Sequence, residues 1–226
     1  MKAMLAASKI PDLDDINFPV LASPKLDGIR CLMVDGKAYS REGKLIPNKF
    51  VQSELAGLGG LDGELMVRGD FEAVTSGIMS VEGEPDFSYH VFDRWDLDDP
   101  FKNRYPLMGF KHPRLRQVQQ KVIRNKEDLN DFWDACILTN YEGVIVRDPF
   151  GEYKQGRSTL KEGGMLKLKK FKEAEGVITG YTEKMINLDT STTKKENMVG
   201  ANVLGALLLS WNDMEIKVGS GFTDQQ

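Results

Sequence analysis

Five side chains in this chain have the types and spacing to do chemistry together: Lys25, Glu64, Glu142, Lys167 and Lys169. Lys25 opens Lys25-Leu26-Asp27-Gly28-Ile29-Arg30, and Glu64 closes Leu61-Asp62-Gly63-Glu64. Glu142 stands in Tyr141-Glu142-Gly143-Val144-Ile145-Val146, and the other two lysines lie in Leu166-Lys167-Leu168-Lys169. An amine that can attack phosphorus, two carboxylates that can hold Mg²⁺ and two cations that can grip phosphate form a set for moving a nucleotidyl group. A protonated amine is a poor nucleophile, so Lys25 needs a depressed pKa from burial or nearby cations. Arg30, Arg41, Lys167 and Lys169 are the expected neighbours. Mg²⁺ takes one or two carboxylates plus phosphate oxygens and water, which suits so sparse an acidic set. Phe92 and Tyr89 are candidates to stack on a base, and His90 and His112 have no sequence partners that mark them as catalytic.

These residues need strands to hold them. Val20 to Val34 reads as two strands around the Lys25 loop, because Asp-Gly between apolar runs is a strong hairpin signal. Asp35-Gly36 is a second such signal. Pro47-Asn48 opens a helix carrying Phe50, Val51, Leu55 and Leu58, which Gly59-Gly60 stops before a strand over 61–67. Phe71 to Met79 reads as a helix, 89–93 as a strand, and Pro113 to Arg124 and Asn125 to Leu138 as two more helices, with Asn125 as the cap of the second. Val144 to Val146 and Met165 to Lys169 supply two strands, the latter turning Leu166 and Leu168 inward and both lysines to one face. The pattern changes near 172–176, where a second domain is expected to begin. It ends in a hairpin around Asn212-Asp213.

With 226 residues, 41% hydrophobic and 28% charged, the chain can bury a core in one or two domains. No apolar run approaches the roughly 20 residues of a membrane span, and 1–15 lacks a secretory signal. An intracellular, cytoplasmic protein is expected. Cys31 and Cys136 have no second ligand at metal spacing and read as core residues. The net charge of −4 argues against bulk electrostatic coating of nucleic acid. A local cluster of Lys161, Lys167, Lys169, Lys170 and Lys172 leaves room for a specific contact.

In their order these motifs resemble the covalent nucleotidyltransferases, comprising ATP-dependent DNA ligases, RNA ligases and mRNA capping enzymes. The likeness is greatest to small bacteriophage-type ATP-dependent DNA ligases. The Lys25 to Arg30 segment is similar to the family's nucleophile motif, and Ser40-Arg41-Glu42-Gly43-Lys44 to the element after it. Asp62-Gly63-Glu64-Leu65, Val91-Phe92-Asp93, Glu142 to Val146 and Lys167-Leu168-Lys169 are similar to the motifs that follow. The resemblance implies an α+β fold: an adenylation domain over 1–172, made of antiparallel sheets with flanking helices, then an incomplete OB-like β domain over 173–226. It implies ATP as co-substrate with Mg²⁺, nicked double-stranded DNA as partner, a monomer and no membrane.

The same resemblance makes Lys25 the residue that takes AMP and passes it to the 5′-phosphate of a nick. Arg30, Arg41, Glu64, Phe92, Lys167 and Lys169 then contact the nucleotide, and Glu64 and Glu142 the metal. Arg30, Arg41, Lys161, Lys170 and Lys172 contact DNA. Arg30 in place of serine is similar to DNA ligases more than RNA ligases, and the 24 residues before Lys25 leave no room for the extra domain of NAD-dependent ligases. Where many relatives carry an acid to read the adenine amino group this chain has Ser23, so base selectivity falls to backbone contacts. The family's last basic motif has no counterpart, which implies slow self-adenylation relative to sealing of a nick already carrying AMP. An RNA ligase, a GTP-using capping enzyme and a non-catalytic nick-binding protein are the alternatives.

Overall fold

A computed structural model describes residues 2–67, 71–105, 112–170, 175–187 and 198–219. The strands are β1 (Met4–Leu5), β2 (Val20–Pro24), β3 (Ile29–Val34), β4 (Lys37–Tyr39), β5 (Leu61–Val67), β6 (Phe87–Arg94) and β7 (Leu115–Gln117). They continue as β8 (Lys121–Ile123), β9 (Gly143–Arg147), β10 (Gly156–Arg157), β11 (Met165–Lys169), β12 (Val177–Asn187), β13 (Met198–Trp211) and β14 (Met214–Val218). The helices are α1 (Lys49–Glu54), α2 (Phe71–Met79), α3 (Phe101–Arg104) and α4 (Lys126–Leu138). Two compact units divide the chain, Met1–Lys170 and Phe171–Gln226.

Two mixed-order sheets form the first unit, β4-β3-β5-β6-β7 and β11-β9-β2-β8. The first packs one face on α1 and α2, where Cys31, Met33, Leu61, Leu65 and Val91 meet Val51, Leu55, Val74 and Ile78. Asn48, fully buried, caps α1 by accepting from the Val51 N–H at 2.8 Å and donates to the Ser80 carbonyl at 3.0 Å beyond α2. The second sheet packs Ala22, Val144, Val146, Leu166 and Leu168 on Leu129 and Cys136 of α4. Asn125 caps that helix, as its sequence predicts, accepting from Asp128 N at 2.7 Å. Alternation then leaves the opposite face of each sheet free for polar side chains.

Three sequence expectations change here. The segment Pro113 to Arg124 is not a helix: its residues form the short strands β7 and β8, which pair with β6 and β2 respectively. β2 and β3 do not form a hairpin around Asp27-Gly28. β2 pairs with β8 and β9, and β3 with β4 and β5, so the Lys25 loop crosses from one sheet to the other. Gly28 answers a close approach instead of a turn, since a Cβ there would stand 2.3 Å from the Leu65 carbonyl oxygen. Tyr89 is no stacking residue; it is fully buried among the helix-facing core and donates its hydroxyl to the Cys31 carbonyl at 2.9 Å. Asp35-Gly36 does make the expected hairpin, with φ of 48° and 74°.

The second unit shows an antiparallel sheet β12-β13-β14, whose β13–β14 hairpin turns at Asn212 and Asp213 with φ of 47° and 60°. Together the two units give the α+β architecture with its OB-like part.

Candidate active site

The polar faces of the two sheets in the first unit line a cavity of about 280 Å³. Lys25, Arg30, Arg41, Glu64, Phe92, Lys167 and Lys169 all border it. Each wall has a reason in strand register. On β11, Lys167 and Lys169 stand two apart and so share a face; Lys167 is opposite Ile145 of β9, and Ile145 is opposite Ser23 of β2. On the other sheet, Arg30 is opposite Glu64, and Glu64 is opposite His90. The register between β5 and β6 slips between Asp62 and Gly63, leaving Phe92 as the extra residue of a bulge. A bulge resets alternation, so Phe92 and Asp93 both serve the cavity side of the sheet while Val91 remains in the helix-facing core.

Glu142 is the hub of the reactive end. Its two carboxylate oxygens each accept a hydrogen bond, one from Lys25 Nζ and the other from Lys169 Nζ. Gly143 lets this approach happen, because a Cβ would meet the Leu168 carbonyl oxygen, and the Lys25 N–H donates to the Gly143 carbonyl at 2.9 Å. Burial lowers the pKa of the Lys25 amine, opposed by the Glu64 and Asp27 carboxylates. Burial and the Lys25 charge also lower Lys169. Burial pushes the Glu64 carboxyl up to about 7 against the pull of Arg30 and Lys25.

Arg30 is held, not loose. Its Nε and Nη2 donate to both Asp62 oxygens at 2.6 and 2.7 Å, Nη2 donates again to the Met4 carbonyl at 2.9 Å, and the guanidinium lies 4.6 Å from the Phe92 ring centroid. Burial alone would lower its pKa; Asp62 outweighs it and keeps the charge fixed. Tyr153 completes the group, donating to Asp62 at 2.6 Å and accepting from Met4 N at 3.1 Å. Arg30 therefore anchors the β1 segment beside the Phe92 ring, and its Nη1 is the part without a protein partner among the described residues.

A second ionic cluster lies behind the first. Asp93 accepts from Arg104 Nε at 2.8 Å and Nη2 at 3.1 Å and from Arg147 Nη2 at 2.6 Å, with all three residues buried. Burial would raise the Asp93 carboxyl, yet Arg147 and Arg104 hold it below the ordinary value. Arg147 also stacks 3.9 Å from the Phe101 centroid and borders the cavity.

Among the residues assigned to DNA, Arg41 borders the cavity and remains more than half exposed beside Glu42. Lys161 lies elsewhere, on a second cavity of about 300 Å³ with Asp15, Asp148 and Glu162. Lys170 pairs with Asp134 at 2.6 Å, and Lys172 lies outside the described residues. Reading the sequence missed Leu5, Ala6, Gln120, Arg147 and Arg157, which the cavity also gathers. Arg157 reaches it through the parallel β1–β10 pair and donates to the Ala6 carbonyl at 2.8 Å. A pairing across some 150 positions leaves no local signal; only the alternation that ends at Arg147 could have shown that residue. No group of three or more His, Cys, Asp or Glu suited to a metal occurs among the described residues. Glu64 and Glu142 are hard oxygen donors that fit Mg²⁺ when substrate oxygens and water complete its shell.

Mixed antiparallel sheets with a lysine at their crossing, a carboxylate hub and a two-lysine strand define a nucleotidyltransferase fold of the ligase type. The sequence profile of the ATP dependent DNA ligase domain matches residues 1–169, and the chain belongs to that family. It is 26% identical to a DNA ligase of Haemophilus influenzae over 88% of this chain and 72% of that one. The Chlorella virus DNA ligase-adenylate structure superposes with a TM-score of 0.69 and 30% identity, covering 100% of this chain and 87% of that one. A Lig E DNA ligase structure shares the fold with a TM-score of 0.78 at 22% identity, over 100% of this chain and 86% of that one. The activity that follows from family membership is that of an ATP-dependent DNA ligase, ahead of the RNA ligase, capping and nick-binding alternatives.

Proposed function

We propose that the protein seals nicks in double-stranded DNA through AMP carried on Lys25, acting as a cytoplasmic monomer. The observation that carries this reading is Lys25, on the wall of a cavity that also holds Lys167, Lys169 and Phe92, with its amine bonded to Glu142 and its pKa lowered by burial.

Lys25 Nζ attacks the α-phosphorus of ATP; a P–N bond forms as the P–O bond to pyrophosphate breaks. The Nζ proton passes to Glu142, which already accepts a hydrogen bond from it. Lys167 and Lys169 offset charge that develops on the phosphate oxygens, and Phe92 stacks on the base, with the Arg30 guanidinium holding its ring in place. AMP then moves from Lys25 to the 5′-phosphate of the nick, restoring the amine. The adjacent 3′-hydroxyl attacks that phosphate, joining the strand and releasing AMP. Arg41, exposed at the rim, contacts the DNA backbone, where cations position a duplex without reading its sequence. Glu64 and Glu142 would hold Mg²⁺, which when bound supplies charge neutralisation at phosphate.

The test is incubation with Mg²⁺ and ATP, GTP or NAD in parallel, followed by intact-mass and peptide mass spectrometry. The expected result is AMP on Lys25 from ATP alone. GMP on Lys25, or AMP on a different residue, would overturn the reading.

A further inference from the structure

Gln120 has no role in the chemistry above, yet it borders the same cavity, and its side-chain oxygen is buried without a hydrogen-bond partner. A buried acceptor left unpaired is costly, so such an atom asks for a ligand. Its backbone is fixed, because the Gln120 N–H donates to the Tyr105 hydroxyl at 3.2 Å.

Register places it. β2 and β8 pair antiparallel with Lys121 opposite Ala22, and one step further sets Gln120 opposite Ser23. Ser23 is opposite Ile145, and Ile145 opposite Lys167, so Lys167, Ile145, Ser23 and Gln120 form one row on the cavity face of the sheet. At about 4.8 Å between strands, the row runs about 14 Å from an ammonium to a neutral amide. The cation end suits phosphates. The amide end, beyond an apolar Ile145 in a cavity that the Phe92 ring also borders, suits an uncharged heteroaromatic edge.

From this we infer that the Gln120 carboxamide reads the edge of the purine, which rests on the nucleotide reading of this cavity. Its oxygen accepts from the exocyclic amino group of adenine and its amide nitrogen donates to the adjacent ring nitrogen, the bidentate pairing that glutamine makes with that base. Base selection thus lies partly in a side chain from β8, not in backbone contacts alone.

The test compares ATP with purine riboside triphosphate, which lacks the amino group, by following lysyl-nucleotide formation against nucleotide concentration. Gln120→Met is expected to raise the KM for ATP about tenfold, with a smaller change in kcat, and to raise the KM for the analogue, which keeps the ring nitrogen but lacks the amino group, by clearly less. Gln120→Glu keeps the acceptor and cannot turn over into a donor, so it retains preference for ATP over the analogue. An equal penalty for both nucleotides in Gln120→Met, or none for ATP, overturns the inference alone, provided the unsubstituted protein forms lysyl-AMP. Failure of the unsubstituted protein to label with either nucleotide overturns the nucleotide reading itself.

Discussion

The molecule carries two clusters in which two basic side chains share one carboxylate, arginines around Asp93 and lysines around Glu142. Around Asp93, two guanidiniums grip one carboxylate by planar, multiply bonded contacts, all of it buried. Around Glu142, two ammonium groups share one carboxylate, each side chain partly exposed to solvent. Arginine stays charged under burial and its fork matches a carboxylate, whereas a buried lysine can lose its proton. The first arrangement ties β6 to β9 and to α3, and so joins the two sheets. The second joins the Lys25 loop to β11 but leaves its amines with lowered pKa, which is what a nucleophile needs and a structural tie does not.

The sharpest way to break this comparison is to remove the nucleophile. Lys25→Arg keeps a cation next to Glu142 but offers no attacking amine at neutral pH, so AMP labelling by mass spectrometry should fall to background. Glu142→Gln should slow lysyl-AMP formation about a hundredfold, the scale of losing one charge-stabilising group, measured by single-turnover labelling. Its thermal midpoint should move by no more than about 2 °C, since the pairs it breaks are partly solvated.

Asp93→Asn strands two buried guanidiniums against a neutral partner. A loss of about 3–5 kcal/mol is expected in urea unfolding, or about 10 °C in thermal midpoint. The pH dependence of stability supplies the smallest effect. Folded Glu64 holds its proton up to about 7, while in the unfolded chain it releases it at an ordinary carboxyl value. Between those values the folded state binds more protons, so this residue's contribution falls as pH rises through the window. In EDTA, Glu64→Gln should therefore gain about 1–2 kcal/mol over the parent at pH 8 and nothing at pH 4, checked by urea midpoints.

What the sequence revealed of this contrast followed from how local each signal is. Lys167 and Lys169 on one face of β11, Asn125 at the start of α4 and the turns at Asp35-Gly36 and Asn212-Asp213 depend on neighbours within a few positions. Asp27-Gly28 has the same local form as those turns but answers a packing demand from Leu65, so local reading could not tell a hairpin from a crossing between sheets. The segment Pro113 to Arg124 reads as a helix until β2 and β6 are there to pair with. The Asp93 cluster was hidden for a related reason: its partners, Arg104 and Arg147, come from a four-residue helix and the end of β9. The bulge at Phe92 that turns Asp93 inward has no sequence marker at all.

The most direct measurement pairs Asp93→Asn with Glu142→Gln, recording the urea midpoint and the rate of lysyl-AMP formation per folded molecule for each. The account predicts that Asp93→Asn loses stability while labelling falls less than about tenfold, and that Glu142→Gln keeps its midpoint while labelling falls about a hundredfold. Equal loss of stability in both, or a folded Asp93→Asn protein unable to take AMP, would contradict the division between a cluster that holds and a cluster that acts.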